Sequence, residues 1–500
     1  MKTFGIVSHY FSNFTVVFSI EKLIYKPIYL NELIPIGTKV IVEINPYDDK
    51  EISNLIYQGN NICDSSDDDI LIKILYDLEE TSIEPTSNDP FVREDLSQLF
   101  VATIDPEGSR DLDDAISIKD DKLFIHIADV VSYYNENIDD ILKRGNTYYL
   151  RHSNVPMISR DYAENIISLL PGSKKRAITL EFNIDTLKLI RYYPSLIENK
   201  IQLTYEDVDN ILEGQLNNYS NNVINLVNNM KTIYDKLSIL AKVHINISSL
   251  SHKMIEELMI LANNAIAKIT PDSIYRFHDK PYVNKAGYLQ RFVGSQINQY
   301  INIDINNITE LIKRVPQQKT IQHLIKHMMS KAVYTKDNSS HWALNLDKYT
   351  HFTSPIRRAA DIIVHMKLLL PGIQFDSANF LDKINYAEEQ QKCIESILEE
   401  LDVRRKTVVG ALYQACVIKV TPKSVDYYIP YFNTTHSFHV SECSDGEFLT
   451  YSPDKAGQLI STKFHYYLGK CSVLLLSDFN IGSGKKVFKI LQEDVSPELL

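Results

Sequence analysis

The chain has 500 residues, 44% of them apolar, and carries 52 Lys and Arg against 64 Asp and Glu, a formal charge of −12. That length leaves room for roughly two to four domains and a substantial core; the acidic balance argues against a protein that coats nucleic acid over its whole surface, and no segment has the unbroken apolar length of a membrane span. Met1-Lys2-Thr3 does not lead into a signal-peptide core, and the five cysteines (Cys63, Cys393, Cys416, Cys443, Cys471) form no CxxC pair, which disfavours a zinc site or disulfide framework and points to a reducing intracellular setting, the cytoplasm in expectation.

Residues 1–90 read as short strands and turns. Phe14–Ile20 and Lys39–Ile44 are the clearest strands, with Gly37 before the second and Asn45-Pro46 after it as turn signals. A small β-barrel fits, and the OB-fold is the RNA-binding member of that class. The acidic run Asp67-Asp68-Asp69 follows polar residues and reads as a solvated turn, and Glu84–Pro90 reads as a linker.

The stretch Leu99–Val130 is different. Leu99–Ile104 reads as a buried strand, and Asp105, Asp111, Asp113 and Asp114 follow, separated by a loop with Pro106 and Gly108. Strands are expected again at Ala115–Ile118 and Leu123–Val130. Two carboxylates about 4 Å apart repel by roughly 4 kcal/mol at an effective dielectric near 20. Four held together need protonation or cations, and Mg²⁺ is the usual cation beside a phosphate substrate. A solvated acidic turn is the plain alternative; the ligand spacing of an EF-hand is absent.

The string TIDPEGSRDLDDAI resembles a signature of the ribonuclease II (RNB) family of exoribonucleases, which has Asp at a first position and then six, eight and nine residues on, as Asp105, Asp111, Asp113 and Asp114 stand here. The resemblance extends over roughly residues 91–405. It implies that Asp105, Asp111 and Asp114 hold metal, two Mg²⁺ ions with Mn²⁺ as a substitute, and that Asp113 completes the catalytic site. His126 and Asp129 match positions that are scaffold in the family.

A short helix is expected at Asp139–Arg144. In Arg144–Leu150, followed by Val155-Pro156-Met157, the resemblance makes Tyr149 the residue that stacks on the last nucleotide, an interaction worth about 1–3 kcal/mol and blind to sequence. Residues 205–250 look mainly helical, and the family's usual segment with an Arg and a Gly-Ala pair is missing or reduced there. Ser251–Thr270 has apolar residues at helical spacing, with Ser251 as N-cap; within it, Glu257 matches a position near RNA.

In Tyr349–Lys367, Ser354 is expected to cap a helix with Pro355, Arg357 and Arg358 in its first turn. Cations are unfavourable at a helix N-terminus unless an anion binds between them, and Asp361, four residues on, is placed to orient Arg357. The string resembles the family's HFTSPIRRY-x-DL, which makes Arg357 the catalytic arginine on the scissile phosphate and Arg358 an RNA contact; the family's Tyr is Ala359 here. Lys326, Lys331, Lys336, Lys348, Arg357, Arg358 and Lys367 are expected to form a basic channel wall. Asn379–Arg405 reads as a long helix, and Ala415–Thr421, Val425–Ile429 and Lys470–Leu476 as strands.

The expectation is an α+β chain: an N-terminal OB-fold at 1–90, a central mixed RNB-type catalytic domain at 91–405 and a C-terminal OB-fold at 406–500. The resemblance implies a monomeric, processive 3′-to-5′ exoribonuclease that binds single-stranded RNA, away from membranes, and releases nucleoside 5′-monophosphates. An inactive RNA-binding scaffold of the same fold is the alternative, kept open by Ala359 and the reduced 205–250 segment.

Overall fold

The computed structural model describes residues 1–12, 14–21, 27–44, 53–85, 88–134, 138–238, 249–271, 273–281, 287, 289–294, 318–337, 340–370, 378–443, 450–452, 458–460 and 465–493. The turn expected at Asn45-Pro46, linker residues Thr86 and Ser87, and the stretch 239–248 lie outside them.

The fold is α+β, a central unit of strands and helices flanked by two small OB-like sheets. At the N-terminus Lys2–Phe11, Phe14–Ser19, Ile28–Leu30, Thr38–Glu43 and Asn54–Asn61 form an antiparallel sheet in the order third, second, first, fourth, fifth. β-Branched runs such as Val16-Val17 and Val40-Ile41-Val42 suit a sheet buried on one or both faces. The helix Asp68–Tyr76 packs on it through Leu71, Ile72 and Leu75.

Here the reading of Asp67–Asp69 as a solvated turn is overturned. Asp67 and Asp68 are 5% and 0% exposed. Asp68 accepts from Lys39 at 2.7 Å, Arg151 at 2.6 Å and Arg405 at 2.8 Å, and Lys39 also pairs with Asp67. A buried acid with three cationic partners is structural, and those partners come from three separate parts of the chain.

The central sheet contains Lys174–Asn183, Lys122–Ala128, Asp114–Lys119, Val101–Asp105, Leu189–Thr204 and Glu94–Asp95 in that order. The strand Leu189–Thr204 is long enough to pair twice. Its first part runs antiparallel to Lys174–Phe182 and its last part parallel to Val101–Asp105. The sheet therefore closes on itself, which leaves the acid-bearing strands without a free edge. A polar ladder crosses it: Ser117 Oγ to His126 Nε2 at 2.9 Å, His126 Nδ1 to Thr179 Oγ1 at 2.8 Å, and Thr179 Oγ1 to Ser195 Oγ at 2.6 Å. Burial pushes His126 down to about 3, so it stays neutral. Asp129 binds Arg93 at 2.6 Å and the backbone N–H of Ser132 at 3.0 Å. Both act as framework.

Tyr205–Leu212, Asn221–Leu237, Leu250–Ile269 and the almost fully buried Ala359–Leu369 join the same core. Two helix starts differ from expectation. The helix expected to begin at Ser251 has Ser249 as N-cap, while the Ser251 hydroxyl donates to Asp209 at 2.9 Å. The helix expected from Ser354 begins at Ala359, because the residues before it are drawn into a turn by Asp113 and Asp361, as described below. The helix Ala378–Lys406 runs past the central unit to the N-terminal sheet, where Ile394, Ile397 and Leu401 share a core with Phe4 and Ile6. Beyond it Thr434–His439, Ser424–Ile429, Leu412–Val420, Cys471–Phe479 and Lys486–Glu493 form the C-terminal antiparallel sheet. Among the described residues no helix is long and apolar enough to cross a membrane.

Removing Asp68 takes away the one carboxylate that Lys39, Arg151 and Arg405 share. Asp68→Ala is expected to lower unfolding free energy by about 3–5 kcal/mol, the usual cost of breaking a buried ion pair on one side; a urea titration that shows a loss under about 1 kcal/mol would exclude this role.

Candidate active site

The acid loop leaves the sheet at Asp105 and re-enters it at Asp114. Gly108 turns it with φ +80°, a value that L side chains rarely adopt. Buried Leu112 pins its middle: the Leu112 N–H donates to Ser168 Oγ at 3.0 Å, and Leu112 O accepts from the Leu169 N–H at 3.0 Å. On one side Gln202 Nε2 donates to Ser109 O at 3.0 Å. The carboxylates are therefore held by their neighbours' backbone rather than by each other.

Asp113 points inward and is 4% exposed. Its Oδ1 accepts from the Ile356 N–H at 2.8 Å and its Oδ2 from Arg357 Nε at 3.3 Å. The second signature segment thus docks on the first across 243 residues. Arg357 is further held by Ser354 Oγ, which accepts from Nη2 at 2.9 Å. Asp361, expected to orient Arg357, instead binds Arg358, with Nε at 2.8 Å and Nη2 at 2.9 Å, and caps the Ser354 N–H at 2.8 Å. Two carboxylates that each hold one arginine and one backbone N–H explain why the segment is a turn and not the first turn of a helix.

Tyr149 lies alongside. Its two-residue strand pairs with Asn154-Val155, and the chain just before it is bonded to the arginine turn: the Thr147 N–H donates to Arg357 O at 2.9 Å and the Ala359 N–H to Gly145 O at 3.0 Å. Gly145 is required here. Its φ is +78°, and a Cβ would fall 2.5 Å from Ala387 Cβ of the long helix. The Tyr149 hydroxyl donates to Asp111 Oδ2 at 2.9 Å, and the residue remains 37% exposed.

These groups face one cleft of about 700 Å³. Asp105, Asp111, Asp113, Asp114, Tyr149, Arg357 and Arg358 all line it. Glu257 does not. It is 1% exposed, on the core-facing side of Leu250–Ile269; the cleft takes Glu256, Met259, Ile260 and Asn263, spaced as one helix face. Tyr205 and Glu256 are cleft residues that the sequence reading passed over; the i, i+3, i+4, i+7 face of that helix was the available signal for Glu256. Of the basic residues expected to line a channel, Arg357 and Arg358 reach the cleft, whereas Lys331 is paired with Glu389 at 2.8 Å.

The electrostatics are those of crowded, half-buried acids. Burial first, then the charges of Asp114 and Asp111, push Asp105 up to about 8. Burial pushes Asp114 up to about 6 against the pull of Arg357 and Arg358. Asp113 is also raised, by burial, with Arg357 opposing. Asp105 Oδ2 is buried without a hydrogen-bond partner. Among the described residues no three His, Cys, Asp or Glu side chains close round one metal-sized point. An orphaned carboxylate oxygen within a cluster of oxygen donors nevertheless fits Mg²⁺, which keeps several waters and takes one or two carboxylates plus substrate phosphates rather than a full protein cage.

The cleft gathers the four aspartates, Arg357, Arg358 and Tyr149, and the comparisons supply the family. The RNB domain matches residues 93–370, more than half of the chain, and the protein belongs to that family, the one that contains the ribonuclease II and R enzymes. Ribonuclease R of Mycoplasmopsis pulmonis is 29% identical over 543 residues, covering 95% of this chain and 71% of its own length. The chain spans 48–58% of the length of the further Ribonuclease R relatives. Among solved structures, Mycoplasma genitalium RNase R in complex with ribose methylated single-stranded RNA superposes with a TM-score of 0.80 at 21% identity, covering 98% of this chain and 90% of that one. The yeast pseudonuclease Ssd1 superposes at 0.70 and 17% identity, covering 92% and 67%.

If the acids are crowded for a cation, relieving the crowding stabilises the metal-free protein. Asp105→Asn in EDTA is expected to unfold at or above the wild-type midpoint, with a gain on the order of 1 kcal/mol. Saturating Mg²⁺ should raise the wild-type midpoint and move the variant less. Thermal melts of both proteins with and without Mg²⁺ check this; a variant that is less stable in EDTA and equally responsive to Mg²⁺ would refute it.

Proposed function

We propose that the chain is a processive 3′-to-5′ hydrolytic exoribonuclease that degrades single-stranded RNA to nucleoside 5′-monophosphates. The carrying observation is the docking of the arginine turn on Asp113, which brings Arg357, Tyr149 and the four aspartates to one cleft. The relatives named Ribonuclease R support the reaction class, and the RNA-bound Mycoplasma genitalium structure supports the substrate class. A module division at 1–90, 91–405 and 406–500 goes with this reading, with RNA contacts shared by the flanking sheets.

Asp105, Asp111 and Asp114 are the residues that would hold two Mg²⁺ ions, or Mn²⁺ in their place, and so bound the ions supply an activated water and stabilise the leaving 3′ oxygen. The chain's own part is positioning and charge. Asp113 orients the Arg357 guanidinium, whose exposed face is free to meet a phosphate oxygen as negative charge builds on it. Ser354 fixes the same guanidinium from a second side. Tyr149, exposed at the cleft and tethered through its hydroxyl, offers a ring to the terminal base. Arg358, neutralised by Asp361, shapes the wall beside it.

The inactive-scaffold alternative draws on Ala359. That residue is 0% exposed in the hydrophobic core and does not line the cleft, so the change leaves the phosphate-binding groups in place.

The test is a 5′-labelled single-stranded RNA incubated with Mg²⁺. Wild type is expected to shorten it from the 3′ end, and Asp113→Asn to abolish the ladder. Arg357→Ala should reduce the single-turnover rate by about 10²–10³-fold, as loss of a transition-state donor does. RNA binding without cleavage by wild type would decide for the scaffold; internal cuts would decide for an endonuclease.

A further inference from the structure

The ribbon that carries Tyr149 is short. It consists of two residue pairs, Tyr148–Val155 and Tyr149–Asn154, joined by a turn in which the Leu150 N–H donates to Ser153 O at 2.9 Å. A ribbon of this size has little stability of its own, so its place is set by what grips it. The long helix grips its base: Gln391 accepts from the Tyr149 N–H at 3.0 Å and donates to Tyr149 O at 3.3 Å, and Gln390 accepts from the Tyr148 hydroxyl at 2.7 Å.

The tip is gripped by a different part of the molecule. One carboxylate, Asp69 in the first turn of the N-terminal module's helix, accepts from the Arg151 N–H at 2.8 Å, the His152 N–H at 3.1 Å and the Ser153 hydroxyl at 2.7 Å. Beside it, Asp68 accepts from Arg151 Nε at 2.6 Å, while Arg151 Nη1 donates to Asp402 at 2.7 Å. Tyr148 and Val155 share the apolar core of the N-terminal sheet. Charge-assisted hydrogen bonds of this kind are stronger than neutral ones and define direction.

We infer that Asp69, backed by Asp68, is a positioning residue for Tyr149, so that the N-terminal module sets the place of the ring that meets the terminal nucleotide. This rests on the proposed stacking role of Tyr149. Asp69 touches no substrate; it acts through the 150–153 turn.

The test measures affinity for a single-stranded RNA with a free 3′ end in EDTA, and single-turnover cleavage with Mg²⁺. It compares wild type, Asp69→Ala, Tyr149→Ala and the double variant. Asp69→Ala is expected to weaken 3′-end binding by roughly 5–20-fold, the range of a lost stacking contact; since it also removes three hydrogen bonds, binding is compared at a temperature where thermal melts show every variant folded. The double variant should bind like Tyr149→Ala alone. Asp69→Asn, which keeps an acceptor, should recover part of the loss, and it stands in should the alanine variant fold poorly. Wild-type binding by Asp69→Ala, losses that add in full in the double variant, or wild-type binding by Tyr149→Ala would each overturn the inference. Coupled losses of binding in a wild type that cleaves nothing would instead sink the hydrolase reading and leave the positioning intact.

Discussion

The carboxylate of Asp113 joins two stretches of chain that are otherwise unrelated in sequence. It spends one oxygen on the Ile356 N–H and the other on Arg357 Nε, and with that the loop that carries three further aspartates meets the turn that carries two arginines. The arginine side of the cleft depends on this contact. The arginine turn in turn holds Gly145 to Thr147 by backbone bonds, and through them the Tyr149 ribbon. Removing the Asp113 charge would leave the Arg357 guanidinium with Ser354 Oγ as its hydrogen-bond partner among the described residues. The cost of keeping so many acids together is visible at Asp105, raised to about 8 by burial and by its acidic neighbours. A site with that charge pattern is suited to cations and, in the proposed reaction, to a phosphate between them and Arg357.

Local pattern made much of this legible. The strand–loop–strand reading around Asp105–Asp114 needs only apolar runs on either side of polar residues, and the sheet confirms the strands at Val101–Asp105, Asp114–Lys119 and Lys122–Ala128. The long helix was readable for the same reason, as were Phe14–Ser19 and Thr38–Glu43 of the N-terminal sheet and Leu412–Val420, Ser424–Ile429 and Cys471–Phe479 of the C-terminal one; the more polar Asn54–Asn61 and Thr434–His439 were not. What was not legible depends on partners far along the chain. Asp67–Asp69 looked solvated because Lys39, Arg151 and Arg405, which bury and bind them, lie on other elements. The helix start at Ala359 was misplaced because Asp113 and Asp361 take the preceding N–H groups. Adjacent Glu256 and Glu257 differ by about 100° round the helix, so sequence spacing alone does not say which faces the cleft; the packing of Leu258 and Ala262 into the core decides for Glu256.

The flanking sheets are more than attachments. The N-terminal sheet and the long helix share one apolar core with Tyr148 and Val155, and the Ser8 hydroxyl of the first strand donates to Asn480 Oδ1, just past the C-terminal strand Cys471–Phe479, at 3.0 Å. Arg404, near the end of the long helix, donates to Ile481 O at 2.9 Å. The helix Ala378–Lys406 is thus the common strut for both sheets and for the back of the Tyr149 ribbon, which ties the geometry of the cleft to both flanking sheets.

The most direct test of this arrangement is the fate of solvent oxygen. With RNA digested in H₂¹⁸O and the products read by mass spectrometry, a cleft built to direct water onto the phosphate, with the 3′ oxygen leaving, predicts nucleoside 5′-monophosphates that carry one ¹⁸O on each new phosphate. Cyclic phosphates, 3′-phosphates or unlabelled monophosphates would contradict it.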